Sequence, residues 1–118
     1  MVAMWTSRVE YEGMMAVAEA LRNTAPAMKD RALTGPENYT QLPELAARGQ
    51  KRLGVFFDTV EKRLAGRDFL ATDAFSVADI AALVTVDFAR VVRCKPAPEQ
   101  VNIARWRAAF AERPSATA

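Results

Sequence analysis

The chain has 118 residues, with 16 basic and 14 acidic side chains, one cysteine and no histidine. A chain of this length is near the usual size of one domain and can bury a core without disulfides or metals. The absence of histidine excludes the commonest general base and the usual transition-metal ligand, and a single cysteine excludes a cysteine zinc cluster. We therefore expect one domain over residues 1–118, with no catalytic residue and no metal ligand of its own.

The charge pattern and the N-terminus narrow the possible partners and location. The net charge of +2 is small and the basic residues are interspersed with acidic ones, so the sequence predicts no nucleic-acid partner. Charged residues come too early for a signal peptide, and the longest uncharged apolar run, 80–86, is too short to cross a bilayer. We expect a cytoplasmic protein with no membrane partner, which suits an unpaired cysteine.

The first predicted helix runs from about Val2 to about Thr24 and is rich in residues that favour helices. At ~100° per residue, its apolar side chains form two separate stripes. One stripe is predicted to face the core: Trp5, Val9, Gly13, Ala16 and Ala20. The second indicates a subunit contact, the wall of a ligand cleft, or burial beneath the following loop: Met4, Tyr11, Met15 and Ala18.

A loop and a second long helix follow. Residues 33–42 collect turn formers without any helical or strand period, so they are predicted to be a connecting loop. Pro43 suits a first helical position, and apolar residues then recur at steps of three and four as far as Ala65. Gly66 stands where a left-handed helix cap is expected.

The segment Phe75 to Ile80 has the residues of a helix start. The hydroxyl of Ser76 is predicted to accept a hydrogen bond from the backbone N–H of Asp79, and the Asp79 carboxylate to accept one from the N–H of Ser76. Phe75 is predicted to pack on Ile80 as a hydrophobic staple. These four residues are therefore assigned a structural role, that of starting and orienting the next helix.

The next two helices are predicted from their apolar content. The helix from Val77 to about Arg93 is apolar almost all round, which predicts a helix buried in the middle of a bundle. A last helix, from Glu99 or Asn102 to Glu112, ends before Pro114. Its predicted core face is Ile103, Trp106 and Phe110. The fold class predicted is an all-α bundle of four to five helices.

Two further features could carry chemistry, and each has a simpler interpretation. Cys94 lies between Arg93 and Lys95, a setting that could favour a thiolate, but without a histidine it is interpreted as an incidental thiol. Arg8 could hold an anionic ligand, but its spacing to Glu12 favours a solvated ion pair.

Several motifs together resemble the C-terminal helical domain of bacterial glutathione S-transferases. They are the capped segment Ser76-Val77-Ala78-Asp79, the lead-in Gly66-Arg67-Asp68-Phe69-Leu70, Asn102-Ile103-Ala104-Arg105-Trp106, and Arg113-Pro114-Ser115. The resemblance covers essentially the entire chain. It implies that the domain provides a wall of the hydrophobic acceptor-substrate site and much of the dimer interface. The acceptor-site residues that it implies lie on the first helix: Trp5, Arg8, Tyr11, Glu12 and Met15.

In that family a separate thioredoxin-like domain binds the co-substrate glutathione and activates its thiol, and these 118 residues contain no such segment. The function expected is therefore that of a helical support domain for glutathione conjugation in detoxification, inactive without its other half. Its expected partners are a second copy, a separate thioredoxin-like chain, and apolar electrophilic small molecules. Two alternatives stay open: a protein assembly module without enzymatic role, and storage of apolar ligands in an uncovered cleft.

Overall fold

The structure is a computed structural model, and it describes residues 1–33 and 35–111. Within these residues there are five α-helical segments and no strand, apart from an isolated β-bridge between Arg31 and Tyr39. The predicted all-α class and the predicted number of helices are therefore confirmed. The predicted helix stop at Pro114 lies outside the described residues, as does the segment 113–115. No helix in the described part of the chain is both long enough and apolar enough for a membrane crossing.

The first helix is built from three consecutive segments, α1 (Val2–Arg8), a π-helical segment (Val9–Met14) and α2 (Met15–Arg22). Its extent agrees with the prediction, but the π-helical segment was not predicted. The side chains of Asn23 and Thr24 end it, because they donate to the carbonyls of Glu19 and Ala20, each at 2.7 Å. A short 3₁₀ turn, Pro26–Met28, follows it.

Helix α3 (Pro43–Arg63) lies against the first helix and packs most closely on α2. The approach is close at Gly49, where a Cβ atom would lie 2.8 Å from both the Ala16 carbonyl oxygen and the Ala20 nitrogen. Only a residue without a side chain allows two helix backbones to meet at this distance. Gly66, shortly after the helix, has φ +70°, so the predicted left-handed glycine is confirmed.

Helix α4 (Val77–Phe88) corrects the prediction of a helix buried all round from Val77 to Arg93. It continues as a 3₁₀ turn, Ala89–Val92, and Arg93 takes a left-handed conformation with φ 58°. One side of α4 is buried, by the first helix and, at Asp79, by the loop before α4 and α5. The buried residues on this side are Ala78, Asp79, Ala82, Thr85 and Val86. The opposite side faces outward, and with the following turn it exposes Val77, Ile80, Val84, Phe88 and Val91. We call these five residues the outer face of α4.

Three helices meet at Gly13, inside the π-helical segment. A Cβ atom there would lie 2.8 Å from Thr85 Cγ2 of α4 and 2.9 Å from the Phe56 ring of α3. Helix α5 (Val101–Ala111) joins the opposite end of α3, where the Glu61 carboxylate accepts hydrogen bonds from the backbone N–H groups of Asn102 and Ile103. A negative side chain at these free N–H groups also matches the positive end of the helix dipole.

Candidate functional site

The five first-helix residues assigned to an acceptor site differ widely in exposure. Trp5 is turned into the core and is 6% exposed, whereas Tyr11 is 65% and Met15 51% exposed. Arg8 and Glu12 lie between these extremes. The predicted core stripe is buried as expected, and the larger side chains of the second stripe stand on the surface.

Trp5 is held by two arginines rather than by a hydrogen bond. The guanidinium carbon of Arg8 lies 4.6 Å from the centre of the indole ring, and that of Arg63 lies 5.2 Å from it. The indole N–H of Trp5 is buried and has no hydrogen-bond partner among the described residues. Arg63 also donates to the carbonyls of Leu70 and Ala71, so it ties the loop before α4 to the first helix. Burial of the Arg63 guanidinium lowers its pKa.

Arg8 and Glu12 form the ion pair that their spacing predicts. Arg8 Nε lies 2.6 Å from Glu12 Oε2, and a second contact of 3.1 Å joins the same two groups. The hydrogen bond that Arg8 donates to the Glu12 carboxylate raises the pKa of Arg8. Because both side chains are partly exposed, the pair contributes little to stability, and Arg8 is engaged by a carboxylate of its own helix rather than open to a ligand.

Met15 lines a groove between α2, α3 and the connecting residues 32–33 and 39–42, and Tyr11 contacts Arg52 on the α3 side of it. Arg52 of α3 donates to the Tyr11 carbonyl at 2.8 Å and stacks on its ring at 5.5 Å. The groove has a volume of about 650 Å³ and is lined by Met15, Arg22, Tyr39, Leu42, Leu45 and Arg48, among others. We call it the α2–α3 groove. Sequence reasoning missed it, because its third wall is a loop without any period.

The helix start at α4 is organised around a buried carboxylate. Asp79 is fully buried, and its Oδ1 accepts from the Leu70 backbone N–H at 2.9 Å and from the Trp106 indole N–H at 3.0 Å. Its Oδ2 accepts from the Ser76 N–H at 3.1 Å, and Ser76 Oγ accepts from the Ala78 N–H at 3.3 Å. One carboxylate thus fixes the loop before α4, the start of α4 and α5 in a single arrangement.

The two apolar residues of the predicted staple have different surroundings. Phe75 lies against the ring of Phe110 in α5, with 5.0 Å between ring centres, and edge-on to Phe69 at 6.4 Å. Ile80 belongs to the exposed outer face of α4. Phe75 therefore connects the start of α4 to the last helix.

Cys94 does not lie in a setting that activates a thiol. It is half-buried against the core, and burial raises its pKa despite the neighbouring Arg93 and Lys95. A raised pKa leaves less of the reactive thiolate at neutral pH. The incidental interpretation of this cysteine therefore agrees with its surroundings.

Residues 14–114 match the family described as glutathione S-transferase, C-terminal domain. The chain belongs to this family. The matched range includes Met15 and the segment from Phe75 to Ile80. The other assigned first-helix residues precede it: Trp5, Arg8, Tyr11 and Glu12. A comparison with curated protein sequences found no match.

Solved structures agree with this family assignment. A glutathione S-transferase domain-containing protein from Marinobacter aquaeolei VT8 is similar with a TM-score of 0.81 and 27% identity, over 96% of this chain and 53% of that one. A class Gtt2 glutathione S-transferase of Vibrio parahaemolyticus has a TM-score of 0.73 and 27% identity, over 96% and 48%. Gtt2 from Saccharomyces cerevisiae, at 23% identity, shares the fold with a TM-score of 0.83, over 98% and 53%. The chain spans about half the length of each.

Proposed function

We propose that this domain is the helical half of a glutathione-conjugating enzyme, and that the outer face of α4 packs against the glutathione-binding, thioredoxin-like half. The observation that carries the proposal is the row of five large apolar side chains at steps of three and four residues along α4 and the following turn. A contiguous exposed apolar patch is typical of an interaction surface. A partner for it is expected, because the similar structures are about twice as long as this chain.

We propose that the first helix provides the surface that binds the electrophilic substrate. Tyr11 and Met15 offer exposed aromatic and thioether surface for an apolar electrophile, and methionine adapts to ligands of different shapes. Arg8 and Glu12 border that surface, and Trp5 positions them from below through its contact with Arg8. In the complete enzyme, glutathione thiolate attacks the electrophile in a cytoplasmic detoxification reaction. The group that activates the thiol belongs to the other half, so the helical domain alone is inactive.

A chimera tests the proposal. We would join the N-terminal half of the Marinobacter aquaeolei protein to this chain and measure conjugation of glutathione to an aromatic chloride. We expect activity in the chimera and none in the helical domain alone. Val84→Lys, on the outer face of α4, is expected to reduce the activity at least tenfold by disturbing the contact between the halves. Val55→Lys is the matched control, because Val55 on α3 is exposed to a similar extent, 57% against 51% for Val84.

Two results would argue against this proposal. One is a chimera whose halves are folded but tumble independently in solution, since the outer face would then not bind the thioredoxin-like half. The other is an equal effect of Val84→Lys and Val55→Lys on activity. Melting curves of both variants in the isolated chain control for loss of folding.

The second candidate function is assembly, with the exposed first-helix residues Met4, Tyr11 and Met15 as a contact between two copies. The observation that favours it is that these side chains stand on the surface together. Sedimentation equilibrium distinguishes the functions. A dimer that is lost in Tyr11→Lys and that binds neither glutathione nor an electrophile would favour assembly. The proposed enzyme would also form a dimer through a subunit interface. A dimer therefore favours assembly only if the chimera also shows no conjugation.

A further inference from the structure

The α2–α3 groove has the size and the lining of a small-molecule site. Its volume of about 650 Å³ is within the range typical of ligand pockets, roughly 300–1,000 Å³. Apolar side chains line it from three sides: Met15 on α2, Leu45 on α3, and Tyr39 and Leu42 on the connecting segment. Met15, Tyr39 and Leu42 remain substantially exposed, so the groove is open to solvent and to a ligand.

Hydrogen bonds hold the third wall of the groove in place. The Gln41 amide donates to the carbonyls of Arg22 and Ala25, at 3.0 and 2.7 Å, and so joins the connecting segment to the end of α2. The Leu42 N–H donates to Asn23 Oδ1 at 2.9 Å. Tyr39 is fixed through its backbone, which bonds to Asp30 and Ala32. The groove is therefore formed before a ligand arrives, which lowers the entropic cost of binding.

The charged side chains that line the groove carry a net positive charge. Glu19 is engaged by Arg48, with a shortest distance of 2.7 Å, and more weakly by Arg52 at 3.5 Å. Arg22 is half-buried on the same groove and has no carboxylate within ion-pair distance among the described residues. Glu10 is the second acid on the groove, so three arginines there meet two carboxylates. An apolar groove with one uncompensated arginine is complementary to a ligand that carries one negative charge on an apolar body.

We propose that the α2–α3 groove binds a monocarboxylic acid with an apolar body, with Arg22 holding the carboxylate and Met15, Leu42 and Leu45 contacting the apolar part. Arginine suits the carboxylate because its planar guanidinium donates two parallel hydrogen bonds. This site is separate from the outer face of α4 and needs no second domain. It shares Met15 with the acceptor surface proposed above, but its test uses this chain alone, so a failure of this site and a failure of the proposed function are distinguishable.

Calorimetric titration of the complete chain tests the site, with decanoate and decanol as probes of equal chain length. We expect saturable binding of decanoate at least tenfold tighter than that of decanol. In Arg22→Gln the affinity for decanoate is expected to fall at least tenfold while that for decanol stays the same. Arg90→Gln is the matched control, because Arg90 is an exposed arginine on the turn after α4 and does not line the groove.

A methyl NMR spectrum locates the ligand. The methyl signal of Met15 is expected to shift on addition of decanoate, whereas those of Met1 and Met4, at the other end of the first helix, are expected to stay. Met15→Glu places a carboxylate at the exposed edge of the groove and is expected to weaken decanoate binding at least tenfold. Equal affinity for the two probes, equal effects of Arg22→Gln and Arg90→Gln, or no saturable binding would each overturn the proposal.

Discussion

The two sides of α4 have opposite environments, and the exposed side carries the larger apolar side chains. The side toward the first helix is buried and includes Val86, whereas the side that carries Val84 is open to solvent. The inner side is specified in detail, by Gly13 at the helix junction and by Asp79 with its three hydrogen bonds. The outer face has apolar surface without such contacts. The difference shows that hydrophobicity alone does not distinguish a core contact from a surface that is available to a partner.

The largest effect is expected at the buried start of α4. Asp79→Ala removes the acceptor of three hydrogen bonds and leaves buried donors unpaired, including the Trp106 indole N–H. We expect a loss of about 3–5 kcal/mol in the free energy of unfolding, measured by urea denaturation. Asp87→Ala is the control, because its ion pair with Arg107 is partly exposed and is expected to contribute less than about 1 kcal/mol. Similar losses in the two variants would contradict the account.

The next largest effect is expected where α2 and α3 meet. In Gly49→Ala the new methyl group would meet backbone atoms at 2.8 Å, so the helices must separate. We expect a loss of about 2–3 kcal/mol in a denaturation experiment. Gly54→Ala makes the same change on the exposed side of α3, where no atom lies within 4 Å of the new Cβ, and is expected to add about 0.5–1 kcal/mol. A similar loss in both variants would show that α2 and α3 are not closely packed at Gly49.

The comparison of the two sides of α4 can be tested directly with two valines. Val86→Ala is expected to cost about 1–2 kcal/mol, because it removes buried methyl groups. Val84→Ala is expected to change the free energy of unfolding by less than about 0.5 kcal/mol in the isolated chain, because Val84 is 51% exposed. If the Val84 variant is as unstable as the Val86 variant, the outer face is not open in solution.

The smallest effect is expected at the edge of the α2–α3 groove, and it depends on pH. The hydrogen bond from Arg48 lowers the pKa of Glu19. A carboxyl group with a lower pKa in the folded state stabilises the fold above its unfolded pKa of about 4.3, and this contribution is lost as the pH falls. Wild type should therefore be more stable than Glu19→Gln at pH 7, and the difference should shrink in acid. A difference of constant size from pH 7 to pH 3 would contradict this.

Much of the fold could be predicted from the sequence, because the signals were local. Helical spacing after Pro43 predicts α3, and the pair Ser76 and Asp79 marks the start of α4. The π-helical segment was not predictable in this way, because it accompanies the contacts of Gly13 with Phe56 and Thr85, which lie far away in the sequence. The open side of α4 was missed for a similar reason. An apolar sequence does not show which neighbours a helix has.

The candidate site was predicted less completely than the fold. The spacing of Arg8 and Glu12 was enough to predict their ion pair, and helical periodicity placed Met15 on a second apolar stripe, away from the core stripe. Arg22 was not singled out, because its importance depends on Tyr39 and Leu42, which belong to a loop. The loop lies against α2 through the side chains of Asn23 and Gln41, and such long-range hydrogen bonds leave no period in the sequence.

The most direct test of the central claim is calorimetric titration of the purified chain with glutathione and then with S-hexylglutathione, up to millimolar concentrations. The central claim is that these helices support conjugation while glutathione itself binds to the other half. We expect no saturable heat with glutathione. Saturable binding of both compounds, weakened by Arg8→Gln, would contradict the claim, because a glutathione site would then exist on the first helix.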